Sequence, residues 1–539
     1  MTAEQTEAAA ADAGGNRRQV AALIFSAFVS GLCSIIYELL IATTASYFLG
    51  DSIKFFSLTI GIYMAAMGLG TFLSRYVEKH MLGRFVIIEL ALAALGGLSI
   101  PILYFAYAWT ELFAPAYLVL TVAIGVLIGL EIPFLTRLMD RYNPLRINIA
   151  SILSFDYLGA LIATLAFPFL LLPVFGIYQS SLLFGFANVS IGFVMLRVFR
   201  DEIGEPARQM LGLTVAITAV LGAMIALSHV FLEKWDQSLY EDRIVHAEQT
   251  KYQRIVLTRD RDDLRLYLDG NLQFSSIDEY RYHEALVHIP LALSPPALSP
   301  LALSPLAVGP LALGPRTPRR VLLLGAGDGL AARELLKYPD IAEIVLVDLD
   351  PAVIALARKN AGIRALNGGS LDAPRVKVVI GDAFEYLRSN SAPFELVIAD
   401  LPDPNNSGLA RLYAKQFYRL VRQNLVPGGL FVTQATSPYF SSRAFWSIDA
   451  TVRAGGFAHT YPYHLNVPSF GEWGFILASD SVIETGTPRL AVATRYLTAD
   501  TIPMHFQFDK DMLVTDAAVS TLDRPTILDD YLAGWQYYR

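Results

Sequence analysis

In the second half of this 539-residue chain, acidic residues recur at the ends of short apolar runs. Asp328 lies in the loop GAGDGL, directly after the run RVLLLG. Asp348 closes IVLVD, about 20 residues past the glycines, a spacing that suits a carboxylate binding two ribose hydroxyls. Asp382 follows VKVVIG, and Asp400 and Asp403 follow ELVIA. Any one acid after a strand can be a helix cap. The whole set, with Gly325 and Gly327 in the glycine loop, points instead to a nucleoside ligand beyond the carboxyl ends of the strands.

The elements that must carry these acids alternate. From Arg320 onward the pattern is strand, glycine turn, amphipathic helix, then strand again, through GLFVTQ at 429–434. That alternation predicts a parallel sheet with helices on both faces, a Rossmann-like domain over residues 319–500. Ahead of it, residues 240–290 contain the alternating runs RIVLTRD and LRLYLDGNLQFS, with Asp269-Gly270 as a hairpin turn. They predict a small antiparallel β-domain, followed by a helix with an acidic start, DEYRYHEALVHIPLAL. Residues 291–318 repeat a five-residue unit ending in proline, which forbids a regular helix and reads as a spacer loop. Residues 501–539 form a C-terminal extension.

The first half differs in kind. Apolar residues make up 54% of the chain and charged residues 17%, and residues 19–232 are nearly uncharged over long stretches. About seven spans of membrane-crossing length are expected, near 19–48, 54–74, 85–107, 113–136, 148–173, 175–196 and 209–232. Together they predict an α-helical transmembrane bundle over 17–232, preceded by a disordered N-terminus, 1–16, and embedded as a multi-pass protein in the lipid bilayer of the cell membrane. Basic residues gather in alternate connections, among them Arg17, Arg75, Arg137 and Arg197, which puts the N-terminus in the cytoplasm. An odd span count then sends the C-terminal domain outward, away from cytoplasmic metabolites, so its side is left open. Glu38, Glu89, Glu131 and Asp156 lie within the spans, where an acid faces a cavity, a cationic ligand or a neighbouring helix. The single cysteine, Cys33, excludes an internal disulfide. The net charge of −7, with no dense Lys/Arg stripe, disfavours nucleic acid. Scattered histidines without a cysteine partner predict no metal site.

Roughly residues 245–480, interrupted by the repeat, resemble the spermidine and spermine synthase family. The motifs are LYLDGNLQFSSIDEYRYHE, GAGDGLAARELLKY, VDLD, GDAFEYL and IADLPDPNN…LYAKQFY, in the family's order. With its apolar first half, the chain resembles that family's membrane-anchored branch. The resemblance implies a β-domain joined to a Rossmann-like domain. It implies decarboxylated S-adenosylmethionine as co-substrate, no tightly bound cofactor, and a polyamine or diamine such as putrescine as acceptor. A homo-oligomer is among the implied arrangements. Carried over residue by residue, Gln253 contacts the nucleoside donor. Tyr282 and His283 line the amine site, and Asp328 binds the donor's ammonium. Asp348 holds the ribose, Asp382 and Ala383 the adenine. Asp400 is the general base, and Asp403 is a second amine-binding acid, helped by Glu472 and Trp473. Departures are Ala326 and Leu330 for family glycines, Asp348 for a glutamate, Asn405, Asn406 and Ser407 for a Gly-Pro segment, and Phe470 for a tyrosine.

Two other functions fit parts of the pattern. A membrane-anchored S-adenosylmethionine-dependent methyltransferase explains the glycine loop and Asp348, but not the LDG…DE…YHE run or the Asp400/Asp403 pair. A non-catalytic polyamine transporter or sensor is motivated by Glu38 and Glu131.

Overall fold

The computed structural model describes residues 3–49, 52–110, 112–142, 144–294 and 318–536, with side chains from residue 17 onward. The proline repeat lies outside the described residues from 295 to 317. The chain divides into two compact units, residues 1–241 and 242–539.

The first unit is helical. Six helical runs are long and apolar enough to cross a membrane: Arg17–Leu49, Ile53–Tyr76, Met81–Trp109, Phe113–Met139, Leu145–Val198 and Pro206–Ala226. The sequence expects seven, and the fifth run holds two of them. Its 54 residues join two expected spans through a π-helical turn at Phe167–Leu171, with Gly176 at φ 69° breaking the helical backbone inside the run. The N-terminal segment, expected to be disordered, continues the first helix back to Ala3, in keeping with the high helix propensity of its alanines. Glu89 and Glu131 are fully buried. Asn188 Nδ2 donates to Glu89 Oε2 at 3.0 Å, Tyr37 donates to Asn188 Oδ1 at 3.0 Å, and Ser30 donates to Glu131. Glu38 and Asp156 are only half-buried.

The second unit opens with a four-stranded antiparallel meander, β1 (Arg243–Gln249), β2 (Arg254–Asp260), β3 (Asp263–Leu268) and β4 (Asn271–Ser275). The Asp269-Gly270 turn is the expected two-residue hairpin. Leu268 pairs with Asn271, and both turn residues have positive φ, as a type I′ turn requires.

The second sheet has seven strands: β5 (Arg320–Gly325), β6 (Glu343–Asp348), β7 (Val376–Ile380), β8 (Phe394–Asp400), β9 (Leu425–Gln434), β10 (His459–Val467) and β11 (Gly471–Ser479). Their order is β10-β11-β9-β8-β5-β6-β7. Strands β5 to β9 run parallel, but β10 and β11 add an antiparallel hairpin beside β9, so the sheet is mixed rather than wholly parallel. Successive residues of β5 point to opposite faces, and each face has its own apolar core. Val321 and Leu323 pack with the helix Glu279–Ala292, whereas Leu322 and Leu324 pack with the helices Lys415–Gln423 and Ser442–Ala454. β5 has β6 on one side and β8 on the other, so strand order reverses there. That reversal opens the crevice in which doubly wound sheets bind ligands.

Candidate active site

A cavity of about 330 Å³ opens over this switch point. Its walls come from the loops after β5, β6, β7 and β8, from the meander, and from the helix Glu279–Ala292. The glycine loop lets these parts meet. A Cβ on Gly325 would collide with the Asp400 carbonyl, and one on Gly327 with the Asp348 carboxylate. Ala326 holds φ 61°, so the loop keeps a left-handed turn even where the family glycine is replaced.

Twelve of the thirteen residues expected to form the site line this cavity: Gln253, Tyr282, His283, Gly325, Gly327, Asp328, Asp348, Asp382, Ala383, Asp400, Asp403 and Trp473. Glu472 does not. It neighbours Trp473 on β11, and alternate strand residues face opposite ways. Its carboxylate pairs with His464 instead. Glu472→Gln is therefore expected to leave the amine KM within about twofold while lowering Tm by about 2–4 °C. Steady-state kinetics and a thermal melt check this, and a tenfold rise in KM would return Glu472 to the site.

At the end of β6, Asp348 Oδ1 accepts from the Asp350 amide at 2.9 Å. Burial pushes its carboxyl up to about 6. Asp350 Oδ2 in turn accepts from Thr250 Oγ1 at 2.7 Å and from Gln253 Nε2 at 3.2 Å, which ties the meander to the loop after β6. Asp382 caps the helix Ala383–Ser389 through the Glu385 amide at 3.1 Å and pairs with Arg411.

At the end of β8, Asp400 Oδ1 accepts from the Tyr282 hydroxyl at 2.6 Å. Burial raises the Asp400 carboxyl to about 6, and Asp328 adds to the rise while His283 and Tyr282 oppose it. Asp328 Oδ1 accepts from the Leu330 amide at 2.9 Å, and its pKa is raised, chiefly by burial. Asp403 accepts from Gln434 Nε2 at 3.1 Å and Thr436 Oγ1 at 3.2 Å, and burial lifts it to about 6. His283 is fully buried, which alone would lower its pKa. Its Nδ1 meets Glu279 Oε2 at 2.9 Å, and that bond, with the charges of Glu279, Asp328 and Asp400, raises it to about 9. Arg333 clamps Glu279 with two bonds, at 2.8 and 2.9 Å. The Trp473 ring lies 5.1 Å from Phe470, and its indole N–H is buried with no acceptor.

Sequence reasoning missed Arg411 and Asp350. Asp350 carried a readable signal, since Asp before Pro351 is a helix-start signature, and its side chain does accept from the Ala352 amide. Arg411 follows the loop that departs from the family pattern, and nothing in its spacing marks it.

A cavity at the switch point of a doubly wound sheet, lined by several carboxylates, is the arrangement of a Rossmann-like enzyme. The family model for the spermine/spermidine synthase domain matches residues 279–485. Polyamine aminopropyltransferase 2 of Ralstonia nicotianae is 42% identical over 96% of this chain and 98% of its own. The polyamine aminopropyltransferase of Oceanobacillus iheyensis is 38% identical over 97% of this chain and 99% of its own. That of Mycobacterium tuberculosis is 40% identical over 99% of this chain and 100% of its own. Spermidine synthase from Thermotoga maritima, a solved structure, aligns at TM-score 0.41 and 23% identity over 50% of this chain and 85% of its own. The chain belongs to the polyamine aminopropyltransferase family.

Proposed function

We propose that the chain transfers the aminopropyl group of decarboxylated S-adenosylmethionine to a diamine such as putrescine, giving spermidine and methylthioadenosine. The observation that carries this reading is the half-buried Asp400 carboxyl, held by Tyr282 at 2.6 Å in one cavity with Asp328 and Asp348. The acceptor nitrogen attacks the propyl carbon next to the sulfonium. The C–S bond breaks, its electron pair stays on sulfur as a neutral thioether, and the nitrogen's proton passes to Asp400. The donor brings its own leaving group, so the protein's work is to align the reactants and deliver a neutral amine. Asp348, Gln253 and Asp382 hold the nucleoside, Asp328 the donor ammonium, and Asp403 with Tyr282 and His283 the acceptor. Trp473 offers its ring face to the aminopropyl or acceptor chain.

The pH dependence follows from the two acids of the amine site. Asp400 and Asp403 act ionised, and both carboxyls lie near 6. Activity is therefore present above that value and lost as pH falls through it. The profile of kcat/KM for the amine should decline below about pH 6 with a slope between one and two. A flat profile down to pH 4.5 would remove both acids from the mechanism.

We read the N-terminal unit as a multi-pass membrane anchor. Its apolar runs support this, as do outward-facing side chains such as Phe169 and Val174, which suit lipid contact. Retention in membranes through an alkaline carbonate wash tests the anchoring, and release into the supernatant would contradict it.

A further inference from the structure

The helix Glu279–Ala292 lines the cavity with Tyr282 and His283, and one turn before His283 it carries an acid that the reaction as described does not use. Glu279 is buried and does not line the cavity. Its Oε1 accepts from Arg333 Nη1 at 2.8 Å, and its Oε2 from Arg333 Nη2 at 2.9 Å. Arg333, on the helix Leu330–Leu335, is itself fixed. Its Nε donates to Glu334 Oε1 at 2.9 Å, and its Nη1 also donates to the Leu366 carbonyl at 2.8 Å. Glu334 Oε2 in turn meets Lys337 Nζ and His288 Nε2, each at 2.6 Å. With every nitrogen of its planar fork engaged, Arg333 holds the Glu279 carboxylate in one orientation. Burial works against the charge of Glu279, but the bonds and charges of His283 and Arg333 hold its carboxyl below the usual range, so it is ionised.

That orientation decides which nitrogen of His283 carries a proton. Nδ1 lies 2.9 Å from Glu279 Oε2 and 2.8 Å from the Glu279 carbonyl oxygen. An ionised carboxylate and a carbonyl only accept, so Nδ1 must donate to both. Nε2 is then the nitrogen left for the cavity, which the His283 ring lines. The neighbouring Tyr282 ring lies edge-on at 5.0 Å, and its hydroxyl reaches Asp400 Oδ1 at 2.6 Å, so one helical turn sets both side chains against the reactants.

We infer that Glu279, braced by Arg333, is a positioning residue of the amine site: it locks His283 in the tautomer protonated at Nδ1 and leaves Nε2 to face the reactants. The inference deepens the reading of Asp400 as the base and rests on it. With Nδ1–H fixed, a proton on Nε2 makes the ring a cation. The groups around it are Glu279 on its own helix, Tyr282 beside it, Asp328 after β5 and Asp400 at the end of β8, with Arg333 behind Glu279. Burial lowers the pKa of His283, but the bond and charge of Glu279, with the charges of Asp328 and Asp400, raise it to about 9. The ring is therefore charged below that value, and its charge favours the ionised form of Asp400. Without the charge of Glu279, burial leaves the ring neutral to lower pH, and the Asp400 carboxyl moves further up.

The test uses the full chain. Nitrogen-15 spectra of histidine-labelled wild type, with the His283 signals identified by their loss in His283→Gln, should show Nδ1 protonated from about pH 6 to 10 while Nε2 alone titrates. In Glu279→Gln the acid limb of kcat/KM for the amine should move up by about one pH unit, so that a loss of about tenfold near pH 5.5 is recovered by pH ~9. Added to His283→Gln, the substitution should not move the acid limb further. Four results would each overturn the inference: a proton leaving Nδ1 before Nε2, an unmoved acid limb, a loss equal at every pH (the mark of a purely structural tie between helices), or a further shift in the double variant. A wild-type chain that aminopropylates no amine would instead overturn the functional reading, and the wild-type spectra would still decide the tautomer.

Discussion

Asp400→Asn is expected to lower kcat/KM for the amine about a thousandfold at pH 7.5, with donor Kd within about threefold. The size follows from the acceptor's own chemistry. A free alkyl amine with pKa about 10.4 is neutral in roughly one molecule per thousand at that pH. If Asp400 makes bound amine neutral, its removal costs about that factor. The substitution is nearly isosteric, and Tyr282 keeps a hydrogen-bond acceptor in the side-chain oxygen of asparagine, so the pocket should hold its shape. The same argument gives a signature that misfolding does not mimic. The variant should regain about tenfold activity per pH unit between pH 7 and 9, as solvent supplies neutral amine, while the wild type stays nearly level. Initial rates of methylthioadenosine release measure both. A loss under tenfold, or a variant with no alkaline recovery, removes Asp400 as the base.

Asp328→Asn is expected to erase about a hundredfold of the preference for decarboxylated over intact S-adenosylmethionine. Intact donor carries a carboxylate on the carbon that bears its ammonium. A buried carboxylate beside that position repels the extra negative charge and attracts the bare ammonium. Asp328 is buried, and one of its oxygens is fixed by the Leu330 amide, so it cannot swing clear. The imidazolium of His283 softens the repulsion, which keeps the expected effect near two orders of magnitude rather than beyond. Calorimetric titration of both donors against wild type and variant gives the ratio directly. An unchanged ratio would assign donor choice to some other residue.

The acids were legible because each follows a short apolar run, and a strand's carboxyl end is where a parallel sheet exposes side chains to a ligand. The Asp269-Gly270 hairpin was legible because few residue pairs tolerate two positive φ angles. The edge hairpin was not. HTYPYHLNV and GEWGFILAS mix polar and apolar residues, and pairing with β9 rather than local propensity makes them strands. Missing that hairpin also hid the face of Glu472, which depends on strand register. Arg411 reaches the site through tertiary packing, and no local spacing announces such a contact. In the helical unit, span length was readable from hydropathy. The two spans expected within the fifth run agree with the non-helical backbone at Gly176, which breaks that run near their junction.

The most direct test of aminopropyl transfer is a mass-spectrometric product analysis of the purified full-length protein, supplied with decarboxylated S-adenosylmethionine and a panel of amines. Methylthioadenosine and an aminopropylated amine, formed in equal amounts and about a thousandfold more slowly with Asp400→Asn at pH 7.5, are the predicted products. A methylated amine formed from intact S-adenosylmethionine, with no aminopropylated product from any amine, would contradict the account.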